Sequence, residues 1–103
     1  MEIIEATLEG GLAHIAVKAK RLDAASSAEF KSACEKFWTP GISALEVDLA
    51  ETEFIDSSGI GALLSLYKRL PPPNANVRLL RVRPPVQAVI DLLRLNRIFE
   101  VVA

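Results

Sequence analysis

Glu53-Phe54-Ile55-Asp56-Ser57-Ser58-Gly59-Ile60-Gly61-Ala62-Leu63-Leu64 decides how the chain is read. An alternating apolar strand ends just upstream of this stretch, and a helical apolar pattern begins inside it. Ile60, Leu63, Leu64 and Tyr67 fall at i, i+3, i+4 and i+7, the spacing of one buried helix face. Asp56, Ser57 and Ser58 are side chains that accept hydrogen bonds from the free amides of a helix start. Gly59 and Gly61 remove Cβ atoms from the first turn, so another backbone or a bulky group can come close. The stretch therefore predicts a strand, a short acidic turn, and a helix from Ser57 to about Leu70. A helix start carries partial positive charge and suits an anion, so a phosphate on a serine there is tolerated. The plainer role is an N-cap, by Asp56 or Ser57. No Glu or Gln stands three residues after either, so no capping box competes for the site.

Working outward, Leu45, Val47 and Leu49 alternate with Glu46 and Asp48 over residues 43–49, a strand with one face covered by helices. Residues 2–9 and 12–19 predict two strands joined by the Gly10-Gly11 turn, an antiparallel hairpin. Arg21-Leu22-Asp23 leads into a helix over about Ala24 to Trp38, with Ser26-x-x-Glu29 as a capping box. Phe30, Ala33, Cys34 and Phe37 form its apolar stripe. Pro40-Gly41 stops it. Downstream, Pro71 to Asn76 reads as a stiff connector. A strand is expected over Val77–Val82 and a helix opening at Pro84-Pro85, with Val86, Val89, Ile90 and Leu93 buried. Ile98 to Val102 completes the pattern as a short strand. The order ββαβαβα(β) predicts an α/β fold, a mixed sheet with helices layered on one side.

The 103 residues suit one domain, residues 1–103, and the hydrophobic share of 50% is that of a packed globular protein. A net charge of −1 gives no reason to expect nucleic acid. The charge is unevenly spread: residues 1–56 hold eleven acids against five bases, and residues 57–103 two acids against seven bases. Such polarity can steer a partner. The single cysteine, Cys34, forms no internal disulfide and reads as a small buried hydrophobe. With no leader and no long apolar run, a cytoplasmic protein without membrane insertion is expected. His14, the lone histidine, is expected at the surface and not as a metal ligand. Asp48, near its strand's end, is placed facing the turn that holds Asp56. A pair of acids suggests acid–base work or a metal, but no local Lys, Arg or His completes a catalytic set. Neither enzyme chemistry nor a cofactor is expected.

Phe54 to Leu64, preceded by Leu45-Glu46-Val47-Asp48-Leu49, resembles the STAS domain of anti-sigma-factor antagonists, and Arg21-Leu22-Asp23 resembles that family's Leu-Asp before its first helix. The resemblance covers nearly the whole chain, to Arg97-Ile98-Phe99-Glu100-Val101. It implies that Ser57, the serine directly after the Asp, is a phosphoacceptor rather than Ser58. Asp23, Asp48, Asp56, Ser58, Gly59 and Gly61 then form the phosphosite and partner surface. It further implies an anti-sigma factor that is also a serine kinase of GHKL type as partner, released on phosphorylation, and a PP2C-type phosphatase that resets the switch. The alternative that the family offers is a STAS subunit docked on a membrane transporter or another signalling complex. Nucleotide binding at the helix start is the weaker expectation, because the stretch lacks the Lys and glycine spacing of a phosphate loop. Lys20 and Arg21, where the family often has Gly and Glu, depart from its pattern, as does the triple proline.

Overall fold

The computed structural model describes residues 2–71 and 76–102. Strands β1 (Ile4–Glu9) and β2 (Leu12–Val17) form the expected hairpin, turned by Gly10 and Gly11 at φ +54° and +90°. Side chains rarely adopt those angles, and glycine adopts them freely. There follow β3 (Arg21–Leu22), α1 (Ala24–Phe37), β4 (Ala44–Asp48), β5 (Phe54–Ile55), α2 (Ser57–Arg69), β6 (Asn76–Leu80), α3 (Pro84–Leu92), a 3-10 turn (Leu95–Arg97) and β7 (Phe99–Val102).

The five longer strands form one sheet in the order β1-β2-β4-β6-β7, antiparallel only at β1–β2. Each parallel crossover steps the same way along the sheet. Because such crossovers are right-handed, α1, α2 and α3 share one face. That face is the core. Ala13, Leu45, Val77 and Phe99 lie in register across β2, β4, β6 and β7, and all are buried. Above them sit Phe30 and Cys34 of α1, Leu63 and Leu66 of α2, and Val86 and Ile90 of α3. The opposite face carries a polar row in register: Thr7, His14, Glu46, Arg78 and Glu100. His14 Nδ1 lies 3.3 Å from Glu46, and Arg78 reaches Glu46 at 2.8 Å and Glu100 at 3.6 Å. The fold class, the one-sided helix layer and the surface position of His14 are as the sequence predicts.

Several local expectations are corrected. The Ser26-Glu29 capping box is displaced by one set three residues earlier: Asp23 accepts from the amides of Ala25 and Ser26, and Ser26 Oγ accepts from the Asp23 amide. On α2, Gly59, Ala62 and Leu66 are buried, whereas Leu64 and Tyr67 are half-buried. Strand β6 ends at Leu80 because Arg81 turns to φ +52°, so Val82 is not part of it. Helix α3 ends at Leu92 because Arg94 adopts φ +56°, and Leu93 leaves the buried stripe to lie 49% exposed. Two short strands, β3 and β5, pair in parallel as a second, separate ribbon that the sequence reading missed. Residues 72–75 of the proline connector lie outside the described residues.

Candidate functional site

The β3–β5 ribbon sets two helix starts side by side. Arg21 pairs with Phe54 and Leu22 with Ile55; the next residues, Asp23 and Asp56, cap α1 and α2. Thr52, fully buried, fixes the approach to this ribbon: its hydroxyl donates to the Ala19 carbonyl at 3.0 Å and its amide to Leu49 at 3.0 Å. The Glu53 amide then donates to Lys20 at 2.7 Å. In the ribbon itself, the Arg21 guanidinium lies 4.1 Å from the Phe54 ring centroid, a cation–π contact on a ring 38% exposed.

At α2, Asp56 Oδ1 accepts from the amides of Ser58 at 2.9 Å and Gly59 at 3.1 Å, and the Asp56 carbonyl accepts from Ile60 at 2.9 Å. The role of cap thus belongs to Asp56. Ser57, at the first helical position, is exposed, and Ser58 is half-buried. The Ser57 hydroxyl is accordingly not needed for capping and stands open to solvent. Gly59 is buried against β3: a Cβ there would come within 2.1 Å of the Leu22 carbonyl oxygen. The expectation of a close backbone approach holds at Gly59. It fails at Gly61, which is exposed and whose Cβ would meet nothing within 4 Å.

Asp23 and Asp56 are brought together at the two helix starts, and Arg21 holds the Asp23 carboxyl below its usual range at 3.1 Å, helped by the Ser26 and Ala25 amides. Asp48 is placed otherwise than expected. Its carboxylate, 9% exposed, is gripped by Arg81 and accepts from the Ala50 amide at 2.9 Å. Burial pushes this carboxyl up, but the hydrogen bonds and charge of Arg81 and the Ala50 amide outweigh it and hold it below the ordinary value. Asp48 is therefore one half of an ion pair and not a free acid facing Asp56. Its partner was missed because Arg81 is 33 residues away, and local sequence shows no such pairing. The pair lines a small pocket with Lys18, Glu51 and Ala50. Lys18, raised by its hydrogen bond to Glu51, is held there at 2.9 Å. Among the described residues no group of three His, Cys, Asp or Glu side chains is placed to hold a metal ion. No helix among them is long and apolar enough to cross a membrane.

A mixed five-stranded sheet with three helices on one face, the central one headed by a serine, defines an α/β domain with one-sided helix packing. A family model of the STAS domain matches residues 5–103, and the chain belongs to that family. Three solved structures show the same fold. An anti-sigma factor antagonist from Mycobacterium paratuberculosis is 20% identical with a TM-score of 0.81, over 95% of this chain and 82% of that one. The Bacillus cell-fate determinant SpoIIAA in its phosphorylated form is 16% identical at 0.70, over 97% and 91%. The murine solute carrier 26 family member A9 anion transporter is 20% identical at 0.66, over 84% of this chain and 14% of the transporter. No curated protein matches the sequence.

Proposed function

We propose that this STAS domain is a phosphorylation-controlled partner switch of the anti-sigma-factor-antagonist kind. Unphosphorylated, it binds an anti-sigma factor that is itself a serine kinase with a GHKL-type ATP site; phosphorylation of Ser57 dissociates the pair, and a PP2C-type phosphatase restores the hydroxyl. The observation that carries this reading is the exposed Ser57 hydroxyl directly after Asp56, whose carboxylate has already taken the helix-start amides. In this role Ser57 is a substrate and not a catalyst. Phosphate adds about −1.5 to −2 charges near neutral pH. Beside Asp56, and facing a docked acidic group, that charge costs on the order of several kcal/mol, where about 1.4 kcal/mol is a tenfold change in affinity. No refolding is needed.

Intact-protein mass spectrometry with the cognate kinase tests the assignment. One phosphate is expected on the parent, mapped to Ser57, and none on Ser57→Ala. Ser57→Ala is expected to bind the kinase and stay bound when ATP is added, while Ser57→Asp binds weakly. Phosphate on Ser58, or on no residue, overturns the reading. The alternative, docking on a membrane transporter without a switch, uses the same helix start as a packing surface. Co-purification with a membrane complex in place of a kinase would favour it.

A further inference from the structure

The two edges of the main sheet differ in chemistry. The β1 edge is acidic: Glu2, Glu5 and Glu9 stand in a segment whose first Lys or Arg is Lys18, which reaches Glu5 at 3.5 Å. Every residue of β1 after Ile4 is exposed, and Leu8, 48% exposed, lies on the helix-side face, in register with buried Ala13. The β7 edge is flanked by the corner Leu92-Leu93-Arg94-Leu95-Asn96-Arg97-Ile98. There Leu92 is 79% exposed, Leu93 49% and Ile98 39%, with Arg94 and Arg97 exposed among them. Arg94 occupies a left-handed position, φ +56°, that a helix end ordinarily gives to glycine. Three exposed large apolar side chains and a strained arginine within seven residues depart from what folding alone favours, the mark of a surface kept for contact.

From these two edges we infer that a second copy of this chain adds its β1 to the β7 of the first, antiparallel, continuing the sheet. Both strands pair on one side only among the described residues. Side-chain alternation selects the register, because a shift by one residue puts every side chain on the wrong face. Setting Leu8 of the added copy opposite Phe99 joins the two apolar helix-side faces, brings Leu8 to the Leu93–Ile98 corner, and sets Glu9 beside Arg97. Glutamates along β1 repel a second β1, whereas Arg94 and Arg97 at the β7 corner attract them; Glu100 of β7, which Arg78 meets at 3.6 Å, falls opposite Thr7 in this register. The contact is heterologous: each copy keeps one edge open, and association runs on beyond dimers unless an edge is blocked. It lies on the sheet edges and does not depend on Ser57.

Sedimentation of the full chain from micromolar to millimolar concentration tests this. The mass is expected to rise above the 11.2 kDa of one chain and to fall back when added salt shortens the Debye length to roughly 3 Å. Leu8→Lys blocks the β1 edge, and Leu92→Lys with Leu93→Lys blocks the β7 corner; these are exposed positions, and unchanged circular dichroism checks the fold. Each variant alone is expected to stay at single-chain mass, with association weakened about tenfold or more. Mixed, the two variants retain one intact β7 corner and one intact β1 edge, so they form a pair that stops at twice the chain mass. A parent that stays single at millimolar concentration overturns the inference. So does a corner variant that still associates alone, or a mixture that does not pair.

Discussion

Replacing Gly59 by alanine tests whether the start of α2 is locked onto β3. In an open helix the change is favourable by about 1 kcal/mol, because alanine has the higher helix propensity. Here the new Cβ would lie 2.1 Å from the Leu22 carbonyl oxygen, 2.9 Å from its carbon and 2.7 Å from Ile55 Cγ1. The Leu22 carbonyl also accepts from the Asp56 amide at 3.3 Å, and Leu22 is itself fully buried, so this obstacle cannot swing aside as a flexible side chain would. Overpacking against backbone belongs at the upper end of the usual cost, about 3 kcal/mol. Setting the propensity gain against it leaves a net loss of about 2 kcal/mol. For a domain of this size that lowers the melting temperature by roughly 8–16 °C. Gly61→Ala, with nothing within 4 Å, is the matched control and should stabilise by about 0.5–1 kcal/mol. Thermal and urea melts of both variants beside the parent decide it. A Gly59→Ala protein that melts at or above the parent refutes the tight approach.

Asp56→Ala removes the acceptor of two helix-start amides and should cost about 1 kcal/mol, while Asp56→Asn keeps most of the cap, read as urea midpoints. Arg81→Met tests the Asp48 pair, and both residue types meet the same backbone strain at φ +52°. A carboxyl whose folded pKa is depressed adds stability that is complete above its unfolded pKa of about 3.9 and is lost as pH falls through the folded value. The parent's advantage over Arg81→Met should therefore be full at neutral pH and vanish in acid; an advantage that persists there refutes the pairing. Burial pushes the Cys34 thiol up to about 12, so native alkylation by iodoacetamide should be far slower than in urea, since the thiolate is the reacting form. Rapid labelling of the folded protein would contradict its burial.

Residues with periodic neighbours were readable from sequence, and residues joined by distant pairing were not. The alternation of Leu45, Val47 and Leu49 is a one-dimensional signal, and the structure buries all three. So is the step from strand to helix at Asp56. By contrast, β3 and β5 are two residues each, too short to show a period, and exist because Arg21-Leu22 and Phe54-Ile55 pair across 33 positions. The hint was present as a near-repeat: an apolar residue and an aspartate, Leu22-Asp23 and Ile55-Asp56, stand directly before two helices. The Asp48–Arg81 pair left no local trace, which is why Asp48 was expected to face Asp56. The end of β6 and the burial of Leu93 were misjudged for one reason: Arg81 and Arg94 take a backbone conformation that nothing in an arginine announces. The polarity of the two sequence halves is largely cancelled where they meet, through Arg69–Glu35, Arg78–Glu46 and Arg81–Asp48.

The manner in which Asp56 caps α2 bears on what a phosphate at Ser57 does under the proposed switch. Left alone, a helix start attracts such a group, since its amides and dipole favour negative charge by about 0.3–1 kcal/mol. Here Asp56 Oδ1 already holds the amides of Ser58 and Gly59, and the Asp56 carbonyl holds that of Ile60. A phosphate arriving next to them finds those three amides engaged and a carboxylate beside it. It is not drawn into the helix end, and its charge stays directed outward at the exposed position that Ser57 occupies. The cap that stabilises the fold is thus also what keeps the added charge available to repel a partner. A domain that captured its own phosphate would trade repulsion for internal order and need a conformational change to release anything. Under the proposed switch this one acts through surface charge alone, with the core under α2 undisturbed.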